Sequence, residues 1–123
     1  MILQFDFSGD IPIYLQLRNQ IVIGIAEGQL KAGEKLPTVR ALAEESGINV
    51  MTVSKAYNLL KQEGYIITDR RKGAVIAAQR DVPQVKEETL RALRLNISEL
   101  RLAGMKKEEL IQLLETMYEE AEV

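Results

Sequence analysis

The sequence predicts an α+β chain, mainly helical, with an N-terminal domain over residues 1–77 and a two-helix tail over 78–123. Three observations carry that reading. Residues 33–57, GEKLPTVRALAEESGINVMTVSKAY, hold two apolar stripes at helical spacing on either side of a glycine. Residues 65–77 hold two apolar, partly β-branched runs around a charged, glycine-containing loop. From about Val85 leucines recur at steps of three and four residues.

Taken in order, Leu3, Phe5 and Phe7 alternate with polar residues, the pattern of a short strand or extended arm, and Ser8-Gly9-Asp10 breaks it. A helix follows from about Pro12, where proline suits a first turn. Its expected apolar face is Leu15, Ile21, Val22, Ile25 and Ala26, broadened by Leu17 and Ile23, with Gly28 near the end. Residues 30–34 read as a turn. Thr38 stands where a side-chain oxygen would cap the next helix, Val39, Leu42 and Ala43 give its inner stripe, and Gly47 ends it. Asn49 caps a further helix with Val50, Val53, Ala56, Tyr57 and Leu60 on one face. Met51, Ser54, Lys55 and Asn58 fall on the opposite face.

After Glu63-Gly64 the runs Tyr65–Thr68 and Ala74–Ala77 predict a β-hairpin whose loop carries Arg70, Arg71, Lys72 and Gly73. Two helices joined by a tight turn and followed by a hairpin with a basic tip form a winged helix-turn-helix, an arrangement that sets a helix in the DNA major groove. Residues 78–84 read as a connection. In the tail, Leu90, Leu93, Ile97 and Leu100 form one stripe; Leu110, Leu113, Leu114, Met117 and Tyr118 form another after Ala103-Gly104. Neither helix can hide its stripe alone: the stripes either pack back on the first domain or, at least as readily, form a subunit interface in a homodimer. Burying a further ~600 Å² of apolar surface per chain would contribute on the order of 15 kcal/mol before the entropy of association.

Composition narrows the function. The chain of 123 residues contains neither cysteine nor histidine, so no disulfide framework, thiolate metal site or histidine base is expected. Its carboxylates are scattered along helix surfaces, and neither an enzyme nor a cofactor or metal is expected. No apolar run approaches the ~20 residues of a membrane span, and no basic region precedes an apolar one at the N-terminus, so a cytoplasmic chain is the expectation. The net charge of −2 divides unevenly: residues 1–80 hold ten Lys+Arg against eight Asp+Glu, and residues 81–123 hold six against ten. For phosphate binding the clustering of cations matters more than their sum.

These segments resemble the GntR family of bacterial transcription regulators. The likeness runs through Pro12–Gln16, Gly33–Ala43, Asn49–Tyr57, Leu60, Glu63-Gly64 and the wing, and the short tail looks like the YtrA subfamily. The resemblance implies a homodimer that binds a palindromic DNA operator and represses, with a transporter operon as the typical target. It implies DNA contacts at Arg40, at Asn49, Met51, Thr52 and Ser54, and at Arg70, Arg71, Lys72 and Gly73. Ser54 replaces an arginine found in some members, and Arg71 a common glycine, so base readout and wing-tip charge differ there. On this reading Arg40, Thr52, Lys55 and the wing cations hold phosphates, while Asn49, Met51 and Ser54 face base edges. The alternative is a winged helix used as a protein-interaction module. A separate ligand domain does not fit in so short a tail; a small-molecule effector at the dimer interface stays open.

Overall fold

A computed structural model describes residues 3–78 and 84–121. The chain separates into two compact units, Met1–Gln79 and Arg80–Val123. Of the expected connection, residues 79–83 lie outside the described residues. The first unit holds α1 (Ile13–Ala26), α2 (Val39–Ser46), α3 (Val50–Gln62) and the antiparallel strands β1 (Ile66–Asp69) and β2 (Gly73–Ile76). The second holds α4 (Glu87–Leu102) and α5 (Lys107–Ala121).

The core of the first unit is one cluster drawn from every element: Leu17 and Ile21 of α1, Leu42 and Ala43 of α2, Val53, Ala56, Tyr57 and Leu60 of α3, and Ile66 and Ile76 of the hairpin. Leu30 and Leu36 close it from the segment between α1 and α2. Burying each such aliphatic side chain is worth about 1.5–3 kcal/mol relative to leaving it in water.

Two expected helix faces change. The inner face of α1 is centred on Leu17, Ile21 and Gly24; Leu15 is only half-buried, and Ile23 and Ala26 are exposed. Gly24 shifts the centre because Leu30 packs where a side chain would stand: a Cβ there would lie 3.2 Å from Leu30 Cδ1. Val50 is 44% exposed, unlike the rest of its stripe. It is the first residue of α3, and helical side chains lean toward the N-terminus, so it leans past the end of its own helix. Of the two readings of the N-terminal segment, the extended arm holds: side-chain amides stand in for a partner strand. Gln4 N donates to Gln20 Oε1 at 3.0 Å and Asp6 N to Gln16 Oε1 at 2.8 Å. Leu3 and Phe5 pack on the core, while Phe7 is exposed.

Residues 33–36, read as turn and lead-in, run beside β2 and tie the wing to the body. Gly33 N donates to Ile76 O, Ile76 N to Glu34 O, and Leu36 N to Ala74 O, all at 2.8–2.9 Å. A second tie joins α1 to the end of α3. Arg18 donates through Nε and Nη2 to the Glu63 carboxylate at 2.8 and 2.7 Å, and its guanidinium lies 5.6 Å from the Tyr65 ring centroid. That bond to Glu63 raises the Arg18 pKa above the usual arginine value.

In the second unit, Glu87 and Glu88 stand in the first turn of α4 and Arg101 in its last, each complementing the helix dipole. Glu109 Oε1 accepts from Lys106 N at 3.1 Å at the start of α5. No residue of α4 is buried. Leu90, Leu93, Leu114, Met117 and Tyr118 are exposed, and Ile97, Leu100, Leu110 and Leu113 are half-buried. Among the described residues no helix is long and apolar enough to cross a membrane.

Arg18→Ala removes two charge-assisted hydrogen bonds at a part-buried site and the packing on Tyr65. Urea denaturation should show a loss of about 1.5–3 kcal/mol; an unchanged midpoint would mean that the pair holds nothing together.

Candidate nucleic-acid interface

Capping fixes where α2 and α3 begin, and so where their side chains project. Thr38 Oγ1 accepts from Ala41 N at 3.1 Å, which makes Val39 and Arg40 the first residues of α2. Arg40 is exposed there. Gly47, at φ 69°, turns the chain through the left-handed region that a side chain would disfavour. Asn49 Oδ1 then accepts from Met51 N at 2.7 Å and starts α3. This cap uses the carbonyl side of the Asn49 amide and leaves its Nδ2 donors for another partner.

The inner face of α3 is sealed by Val53, Ala56, Tyr57 and Leu60, which turns the opposite face to solvent. Met51 is 75% exposed, Asn49, Lys55 and Asn58 are exposed, and Thr52 and Ser54 are half-buried. Lys55 is not a free cation on a long tether. Its Nζ lies 4.1 Å from the centroid of the Tyr14 ring, in the first turn of α1.

Tyr57 does more than fill the core. Its hydroxyl donates to Pro37 O at 2.7 Å, fastening α3 to the segment that leads into the Thr38 cap. Burial, aided by the charge of Glu45, pushes its phenol up to about 12. The phenol therefore stays protonated wherever the bond is needed.

The wing tip is built by an acceptor. Asp69 pairs with Gly73 across the hairpin, leaving Arg70, Arg71 and Lys72 as the loop. Asp69 Oδ1 accepts from Arg71 N at 2.8 Å and Lys72 N at 3.1 Å, and these bonds hold its carboxyl below the usual aspartate range. Gly73 closes the loop at φ 85°. All three cations are exposed. The wing springs from the far end of the outward helix, since β1 packs on α3.

The first unit thus carries every residue singled out for DNA, on the α2 start, the outer face of α3 and the hairpin tip. The sequence reading gave no role to Tyr14, to the Tyr57 hydroxyl or to Asp69. An aspartate before a polar loop closed by glycine is a legible turn signal. The Tyr14–Lys55 contact joins residues far apart in the chain and has no local signal. Among the described residues no group of three or more acidic residues could hold a metal ion.

The family model for bacterial regulatory proteins of the gntR family matches residues 13–76, which run from the first residue of α1 to the last of β2. The chain belongs to the gntR family. Members of this family are transcription regulators, not enzymes. An HTH-type transcriptional regulator of Bacillus subtilis, YhcF, is 30% identical over 116 residues, covering 93% of this chain and 96% of that protein. The HTH-type transcriptional repressor YtrA of the same organism is 43% identical over 75 residues, covering 61% of this chain and 58% of its own. Among solved structures, a transcriptional antiterminator from Listeria monocytogenes superposes with a TM-score of 0.85 at 31% identity, over 98% of this chain and 92% of that one. The DNA-binding domain of AraR in complex with operator ORX1 superposes with a TM-score of 0.54 at 26% identity, over 61% of this chain and 96% of that one. The winged helix-turn-helix expected from the sequence is the fold of this gntR member.

Tyr57 supplies a pH test. Its folded pKa lies above the unfolded value near 10, so its share of stability is complete below pH 10 and is lost as pH rises toward 12. Tyr57→Phe should cost about 0.5–1.5 kcal/mol at neutral pH. The gap between wild type and variant should narrow from pH 10 upward in paired denaturation curves; a constant gap would contradict the assignment.

Proposed function

We infer that this gntR-family chain is a cytoplasmic, sequence-specific DNA-binding repressor that acts as a homodimer on a palindromic operator. One observation supports it above the rest. The outer face of α3 and the wing tip present exposed amide, thioether and cationic groups, while the inner face of α3 and Ile66 and Ile76 of the hairpin are sealed into a single core. Arg40, Thr52, Lys55, Arg70, Arg71 and Lys72 hold phosphates and set register. Asn49 donates from its free Nδ2 edge, Met51 packs against a thymine methyl, and Ser54 bonds a base edge. Gly73 lets the wing backbone come close. The operator-bound AraR domain shares the fold, and the YtrA name supports repression as the output.

The tail supports the dimer. Two helices without a buried residue in α4 leave Leu90, Leu93, Ile97, Leu100, Leu110, Leu113, Leu114, Met117 and Tyr118 to be covered by a second copy. Two copies related by a twofold axis carry two α3 helices to successive major grooves, roughly 34–36 Å apart. A repressor seated on a promoter blocks polymerase, and the subfamily likeness favours a transporter operon as the target.

Fluorescence anisotropy on genomic fragments at two salt concentrations tests the DNA reading. Binding should weaken steeply with salt, and Arg40→Ala should weaken it about equally on all sequences, with the slope of log K against log salt falling by about 0.9. Salt-indifferent binding would contradict the reading. Leu93→Asp with Met117→Asp should give a monomer in sedimentation equilibrium and lower operator affinity by about 10²-fold or more, as the second half-site is lost. A variant that stays dimeric would place the interface elsewhere.

A further inference from the structure

Lys55 is a cation on the outer face of α3, and its ammonium rests on the face of a tyrosine from another helix, 4.1 Å from the ring centroid. We propose that Tyr14 is a positioning residue, whose ring holds the Lys55 ammonium at the surface of α3 so that it meets a DNA phosphate already oriented. The inference rests on the reading of that surface as DNA-facing.

Lysine is among the side chains with most rotamer freedom to lose on making a contact. A ring quadrupole attracts the ammonium without neutralising it, so its N–H donors on the side away from the ring stay available to an anion. A carboxylate partner would instead compete with phosphate. Among the described residues Lys55 makes no ion pair. Tyr14 can serve as a fixed platform for three reasons. Its side chain is half-buried and packed on the core. It is the second residue of α1, in the turn that the N-cap Pro12, at φ −55°, begins. And α1 packs on α3 more extensively than any other pair of helices among the described residues. The ring and the lysine are therefore held by the same interface that sets the direction of α3.

The test is a double-mutant cycle read by anisotropy on a mixed-sequence fluorescent duplex, because a phosphate contact needs no particular operator. Lys55→Ala should lower the salt slope by about 0.9. Tyr14→Leu should weaken binding about two- to fivefold with the slope unchanged, and Tyr14→Phe, which keeps the ring, should bind as wild type. On the Lys55→Ala background Tyr14→Leu should have no further effect. In the free protein, the Lys55 side-chain methylene protons should show an upfield ring-current shift that disappears in Tyr14→Leu. An equal loss on both backgrounds, a Phe variant as weak as Leu, or unshifted methylene resonances would each overturn the proposal while leaving the DNA reading of α3 intact. If Lys55→Ala leaves affinity and slope as in wild type, the assignment of Lys55 to DNA fails and the proposal with it.

Discussion

The burial of Leu17 and Ile21 of α1 in one core with Val53, Ala56 and Leu60 of α3 is the constraint on which the rest of the first unit depends. Once those side chains are sealed, α3 has only one orientation about its axis that keeps its apolar stripe dry. Asn49, Met51, Lys55 and Asn58 then face solvent with no instruction of their own. The same packing brings Tyr14 over Lys55 and Arg18 to Glu63, so contacts at the middle and at the C-terminal end of α3 are consequences of one interface.

Around that interface, short polar devices decide details that burial leaves free. Thr38 and Asn49 fix the first residues of α2 and α3 through single hydrogen bonds to backbone N–H groups. The Tyr57 hydroxyl holds the lead-in to α2 against α3. Asp69 gathers two backbone N–H groups and so fixes the loop that bears Arg70, Arg71 and Lys72. Residues 1–80 carry a small cationic excess by sequence and residues 81–123 an acidic one. On the proposed function, the tail holds the two copies together and its charge lies outside the DNA-facing set.

Most of the first unit was legible because its signals are local. The Thr38 and Asn49 caps, the left-handed Gly47 and the Arg70–Lys72 hairpin tip each follow from residues within a few positions of one another. Strand limits shifted by one residue toward the tip, where Asp69 pairs with Gly73, although Ala77 N still bonds to Tyr65 O beyond the regular ladder. The failures are tertiary. Gly24 is a core position because Leu30 packs against it, which no periodicity in α1 reports. Residues 33–36 lie along β2 because a loop before α2 meets a strand after α3. Of the candidate site, the face of α3 was readable from spacing alone. The parking of Lys55 on Tyr14 was not, because it depends on how α1 crosses α3.

On the proposed function, the outer face of α3 and the wing tip are where nucleic acid is met. Backbone amide resonances recorded while a duplex is added test it most directly. Perturbations should concentrate at the start of α2, over residues 49–55 and over 70–73, with the buried face of α3 and the tail little affected. Perturbations confined to α4 and α5, or spread over the surface of α1 around Ile23, would contradict it.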